Sequence, residues 1–229
     1  MQSMSWPIIT IIERNPKKFA IAVETLGNPA TDIQLLCVDV ATLRKSKDVA
    51  FVSPANSIGF MDGGIDFAYS RKMFQGVEGR VKGKIQQLGK TTARGRYYLD
   101  IGSAIAVVAS KRHRSLLIAA PTMFLPHDVS RTNNAFHATV AALCLAQRMD
   151  VKHVIIPLMC TGYGCMRVDV ALRQMLDAIN VVRTGFVPEM DSDSGHLSDP
   201  KCFIIANPFA IVQQQPITFQ NKELRDMFV

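Results

Sequence analysis

Two rhythms of apolar residues divide this chain. Predominantly apolar runs occur at residues 7–12, 33–40, 50–52, 104–109, 116–120, 154–159 and 202–206, interrupted only by Thr10 in the first and by Gln34 and Asp39 in the second, and each reads as a strand. Between several of them the apolar positions recur at steps of three and four, the signature of a helix with one buried face. Ile65, Ala68, Tyr69 and Met73 mark one such helix, and Val77, Val81, Ile85 and Leu88 a second, with Gly89 placed as its C-terminal cap. A third, capped by Thr132 or Asn133, runs to residue 149 with Phe136, Val140, Leu143 and Cys144 facing inward. The clearest contains Val168, Ala171, Leu172, Met175, Leu176 and Ile179. Residues 19–23 read as one more strand, so residues 1–31 are expected to form edge structure. Residues 184–200 are a polar excursion expected to be mobile, and residues 223–228 carry a helical turn or two.

Strands alternating with helices predict a three-layer α/β/α domain with a mixed sheet, parallel at its centre. The expected division is an N-terminal edge extension (1–31), one domain (32–209) and a C-terminal tail (210–229). In such sheets ligands bind at the carboxyl ends of the strands. Three of those ends carry chemistry: Asp39, the loop around Asn56, and the loop at residues 160–164.

The first loop follows the buried run at 50–52. Pro54 ends the strand ladder, and Gly59, Gly63 and Gly64 permit close backbone approach before a helix begins at Ile65. Such a loop delivers its N–H groups to a helix N-terminus, a natural place for an anion.

Charge narrows the partner class. The chain has 229 residues, 26 Lys and Arg against 19 Asp and Glu, a formal charge of +7 and a pI near 9.3, all favouring an anionic partner. The cations gather at Arg71-Lys72, Arg80, Lys82, Lys84, Lys90, Arg94, Arg96 and residues 111–114, without the aromatic interleaving of a single-strand binding platform. That cluster reads either as a solvated basic face or as a nucleic-acid surface. Five cysteines, with no Cys-x-x-Cys pair, read as reduced core thiols. His127, His137 and His153 show no metal-ligand spacing and read as surface or capping residues. No run approaches the ~18 apolar residues of a membrane helix, so no membrane partner is expected and the expected setting is cytoplasmic, with the nucleus open.

Three motifs, in order, resemble the macro domain family, the module that binds ADP-ribose and in some members hydrolyses its derivatives. Val38-Asp-Val-Ala-Thr42 resembles the family's Gly-Asp-Ile-Thr segment. Pro54-Ala-Asn-Ser57 with Gly63-Gly-Ile-Asp66 resembles its Asn-Ala-Ala-Asn-Ser and Gly-Gly-Val-Asp loop, and Thr161-Gly-Tyr-Gly164 its second glycine loop. Residues 53–71, with Ala120-Pro-Thr-Met123, are similar to a microbial or viral, phage-associated branch. Ser53 departs from the usual Asn, Phe60-Met-Asp62 interrupts the glycine run, and Cys165-Met166 replaces a common Gly-Tyr-Pro.

The resemblance implies roles for these residues. Asp39 would accept a hydrogen bond from the adenine amino group, with the Val40 N–H nearby; capping a turn is its other reading. The diphosphate would lie between Gly63, Gly64 and Ile65 on one side and Thr161, Gly162, Tyr163 and Gly164 on the other, without metal or cofactor. Asn56 would meet a ribose hydroxyl or brace its own turn. Tyr163 would lie along the distal ribose or close the core, and Phe209 would stack on adenine or pack inside. Asp66, with Asn56, would be catalytic by positioning the water that attacks the anomeric carbon; its other reading is a first-turn acid favoured by the helix dipole. Lys72, in the neighbourhood where another branch uses a lysine, reads as solvated. The implied partner is ADP-ribose, an ADP-ribosylated protein or a small derivative such as O-acetyl-ADP-ribose, with hydrolysis as the leading activity. A reader without turnover, or a nucleic-acid binder on the same scaffold, are the alternatives.

Overall fold

The computed structural model describes residues 6–27 and 30–185. Its chain order is β1 (Ile8–Glu13), α1 (Pro16–Leu26), β2 (Ile33–Cys37), a 3₁₀ turn (Val40–Thr42), β3 (Val49–Ser53) and α2 (Gly64–Phe67). Then α2 continues as a π-type segment (Ala68–Met73), followed by α3 (Val77–Leu88) and a small hairpin of β4 (Lys90–Thr91) and β5 (Tyr97–Tyr98). The described part ends with β6 (Ile105–Ser110), β7 (Ser115–Ala119), α4 (Asn134–Arg148), β8 (His153–Pro157) and α5 (Val168–Thr184). The expected strand at 202–206, the excursion at 184–200 beyond residue 185, the turn at 223–228, Cys202 and Phe209 lie outside the described residues.

One six-stranded sheet runs in the order β2-β1-β8-β3-β7-β6, with every pairing parallel except β6 with β7. Side chains of β3 show why it is central: Ala50 and Val52 face one core, Val49 and Phe51 the other, and all are buried. The first core holds α4 and α5, with Ala22 of α1; the second holds the α2 segment and α3. This is the three-layer α/β/α arrangement with a mixed, centrally parallel sheet.

The N-terminal segment corrects the sequence reading twice. Residues 19–23 lie inside α1, where Asn15 caps the amides of Lys17 (2.9 Å) and Lys18 (3.3 Å) and Pro16 starts the first turn. Ala22 is buried between exposed Ile21 and Val23, a helical spacing that a short apolar run conceals. Nor is the segment at an edge. β1 lies between β2 and β8, with Ile9, Ile11 and Ile12 buried, because a run apolar on both faces needs cover on both.

Smaller corrections follow the same logic. The inward face of α4 is mostly alanine (Ala135, Ala138, Ala142, Ala146) with Val140 and Leu143, while Phe136 and Cys144 are half-buried; small side chains let α4 and α5 approach closely. Cys160 is a core thiol, whereas Cys37 and Cys165 are exposed. His153 is a strand residue, its Nε2 2.7 Å from Thr10 Oγ1, and His137 is half-buried in α4.

Across the second core, Phe51, Tyr69 and Phe74 pack ring on ring, with centroids 5.3 to 6.1 Å apart. The Tyr69 hydroxyl donates to Val52 O (3.0 Å), and the π turn closes where Phe74 N–H donates to Tyr69 O (2.8 Å). This anchor fixes the helix that carries Asp66 directly against the end of β3.

Candidate functional site: a cleft between two glycine loops

The carboxyl ends of β1, β2, β3 and β8 open into one cleft of about 330 Å³. Its lining includes Asp39, Val40, Asn56, Gly63, Gly64, Ile65, Asp66, Thr161, Gly162, Tyr163 and Gly164. Motifs from distant parts of the chain therefore meet in one place. Phe209 is outside the described residues.

The first loop is held by Asn56. Its Oδ1 accepts from the N–H groups of Ile58 (3.2 Å) and Phe60 (3.1 Å), and its Nδ2 donates to Phe60 O (2.9 Å). The side chain is thus engaged as a turn brace. On the other flank, Thr122 N–H donates to Ala55 O and Ser57 N–H to Met123 O (both 2.9 Å), laying the loop beside residues 122–124. Gly64 takes φ +56°, a conformation that costs glycine little.

Asp66 sits at the floor of this loop, only 9% exposed. Ser53 Oγ donates to its Oδ1 at 2.5 Å. Burial pushes the carboxyl up to about 7; the Ser53 hydrogen bond opposes that rise and the nearby Asp62 adds to it. Burial, and then the adjacent Asp66, also push the Tyr69 phenol well above its ordinary range. Asp66 does stand in the first turn of α2, the place its other reading gives it, and its burial adds a carboxyl pushed up to about 7 to the cleft.

The second loop is a tight backbone turn. Cys160 and Cys165 adopt φ +62° and +54°. Met166 N–H donates to Cys160 O (3.1 Å), Cys165 N–H to Gly162 O (3.1 Å), and Thr161 Oγ1 to Leu158 O (3.0 Å). Gly164 O accepts from Val129 N–H at 3.0 Å, which pins the loop to the segment before α4. The N–H groups of Gly162, Tyr163 and Gly164 make no hydrogen bond among the described residues, so they are available to an anion.

Tyr163 decides between its two readings. It is 65% exposed and reaches over the first loop: a Cβ on Gly63 would lie 2.9 Å from its Cε2 and 3.3 Å from its hydroxyl. The ring spans the cleft mouth and does not close the core. Gly63→Ala therefore meets only the end of a side chain that can swing away. The expected outcome is a change in melting temperature of no more than a few degrees, with a several-fold change in ligand affinity as the ring is displaced, read by calorimetric titration.

Asp39 has one oxygen committed, Oδ1 accepting from Ala41 N–H at 2.9 Å as the cap of the 3₁₀ turn. It lines the cleft at the same time. Both of its readings are compatible with one geometry.

With the two loops facing each other across a sheet of this order, the family can be stated. The macro domain model matches residues 52–175, more than half of the chain. This chain belongs to the macro domain family. Two curated relatives carry no assigned activity in their names: an uncharacterized protein of Aquifex aeolicus, 34% identical over 128 residues (56% of this chain, 70% of the relative), and one of Aeropyrum pernix, 29% identical over 159 residues (69% and 75%). Among solved structures, the macrodomain of Mycobacterium tuberculosis DarG superposes with a TM-score of 0.50 at 16% identity, over 62% of this chain and 86% of that one. The Oceanobacillus iheyensis macrodomain, solved as a glycine-to-valine mutant with ADPR and also with ADP, superposes with a TM-score of 0.50 at 14% identity, over 67% of this chain and 77% of the mutant's. At such identity these likenesses speak for the fold.

This macro domain has a cleft wall that sequence motifs do not mark. Glu13, Arg14, Asn15 and Lys18, from the end of β1 and the start of α1, line it. Lys18 Nζ donates to Thr161 O at 2.6 Å, joining α1 to the second glycine loop. The Asn-Pro pair after an apolar run was the available signal, since it marks a strand passing into a capped helix. Lys72 is exposed. Among the described residues, no group of three His, Cys, Asp or Glu is placed to hold a metal ion, and no helix is long and apolar enough to cross a membrane.

Proposed function

We propose that this macro domain binds ADP-ribose in the cleft and hydrolyses an ADP-ribosyl bond there, with Asp66 as the general base. The observation that carries the reading is the buried Asp66 carboxyl at the meeting point of the two loops, raised to about 7 and oriented by Ser53. In this reading the diphosphate takes the N–H groups of the second loop and the start of α2, the adenine lies against Asp39, and the distal ribose runs under Tyr163 toward Asp66. Binding of ADPR and ADP by the Oceanobacillus iheyensis neighbour supports the ligand class.

A base whose pKa lies near the working pH combines a useful ionised fraction with real proton affinity. Once ionised, Asp66 takes a proton from the attacking water and stabilises positive charge developing at the anomeric carbon. Asn56 acts by holding the loop in shape, since its polar atoms are already engaged. The rate of release at saturating substrate should rise with pH to a plateau, with its midpoint near 7, because only ionised Asp66 is active; a flat profile from pH 5 to 8 would remove Asp66 from the role of base.

The test is direct. Calorimetric titration with ADP-ribose is followed by incubation of the full chain with mono-ADP-ribosylated protein and with O-acetyl-ADP-ribose, beside Asp66→Asn. Binding with release that the substitution abolishes supports the proposal. Binding without release leaves a reader of ADP-ribose, and no binding at millimolar ligand overturns the cleft assignment.

A further inference from the structure

Charge in this chain is concentrated where the cleft is not. Between residues 71 and 114 lie eleven Lys and Arg against two acids, a surplus of nine, while the rest of the chain sums to −2. Both acids are already paired, Glu78 with Lys82 (2.7 Å) and Asp100 with Lys90 (2.6 Å). None of the other nine cations lies within ion-pair distance of a carboxylate among the described residues.

The fold gathers this stretch into one stripe. Arg80 Nη2 donates to Ala109 O (3.0 Å), which ties the first turns of α3 to the far end of β6. The turn at 111–114 follows, every residue exposed. Because β7 runs parallel to β3, its amino end, and therefore this turn, lies at the end of the sheet opposite the cleft. At the other end of α3, the β4–β5 hairpin carries exposed Arg94 and Arg96 and is fixed where Leu99 N–H donates to Ser57 O (2.9 Å). The stripe thus follows the length of the edge strand β6, roughly 20 Å at the usual rise per strand residue.

We propose that this α3–β6 face docks the phosphate backbone of a nucleic-acid duplex, separately from the cleft. About 20 Å of duplex presents roughly six base pairs, a length that the stripe matches. Lysines and arginines on a convex helix and two hairpin turns contact phosphates and read no bases, so binding is independent of sequence. Few aromatic rings stand among the cations, which favours duplex over single strands, whose bases need stacking platforms.

The experiment measures fluorescence anisotropy of a duplex of arbitrary sequence with the full chain over a range of salt. The expected log–log slope is about −4 to −5, the value for four to six phosphate contacts. The variant Lys111→Glu/Arg112→Glu/Arg94→Glu should weaken binding at least ten-fold and flatten that slope, while its ADP-ribose affinity and melting temperature stay those of the parent. A slope shallower than about −2, or a variant that binds as well as the parent, overturns the proposal. Retention on phosphatidylserine vesicles with none on the duplex overturns it in favour of a membrane surface. Since the cleft is untouched by these substitutions, the outcome is independent of the proposed hydrolysis.

Discussion

Asp66→Asn is expected to lower ADP-ribosyl hydrolysis by about 10²- to 10⁴-fold, the usual worth of a positioned acid–base group, and to stabilise the protein at the same time. Both effects come from one carboxyl. In the unfolded chain it ionises near 3.8, and in the fold near 7. Between those values the native state holds a proton that the unfolded state has lost, so native stability falls as pH rises through the window and levels off above about 7. At roughly 1.4 kcal/mol per pH unit the full penalty is on the order of 4 kcal/mol. Asparagine carries no charge to desolvate and can still accept from Ser53. Thermal unfolding at pH 8 should therefore place the variant several degrees above the parent, and at pH 4 the two should coincide. Equal melting temperatures at pH 8 would mean that Asp66 is not held out of water.

Gly164→Ala is expected to cost affinity and stability together. A Cβ there would lie 2.6 Å from the carbonyl oxygen of Cys160 and 2.7 Å from Val129 Cγ2. The first of these is backbone, and the same oxygen already accepts the Met166 N–H that closes the turn. The loop has to open, which misaims the amides of residues 162–164. Overpacking of this kind costs about 1–3 kcal/mol, and one misaligned charge-assisted hydrogen bond weakens ADP-ribose roughly ten-fold or more. The contrast with Gly63→Ala is diagnostic, because Gly63 faces only the movable end of Tyr163. Were Gly164→Ala to bind ADP-ribose as tightly as the parent, the second loop would not be holding the diphosphate.

Elements whose own composition determines them were legible from sequence. α3 ends where Gly89 follows the last periodic residue, and β3 and β8 are apolar runs that end in loops. The three motif regions were legible as well, and they meet in one cleft. What escaped depends on partners far along the chain. Nothing within residues 8–13 says that they slot between β2 and β8, and nothing near Lys18 says that its ammonium meets Thr161. The Ser53–Asp66 contact was hidden for a related reason: the two lie thirteen positions apart, and they meet because Asn56 braces the loop between them and Tyr69 ties the following helix to Val52. The alanine face of α4 carries little periodic signal, because packing at close range rewards small side chains whose spacing does not stand out against large apolar ones.

The place of β1 has a consequence for biogenesis. Its register pairs Ile8 with His153 and Ile12 with Pro157, so the central seam cannot be sewn until nearly the whole described domain has been translated. At ribosomal speeds of about 5–20 residues per second that delay is roughly 7–30 s. Throughout it β1 has only β2 to pair with, and its other edge stands open, the kind of unpaired strand edge that exposes a nascent chain to misassembly.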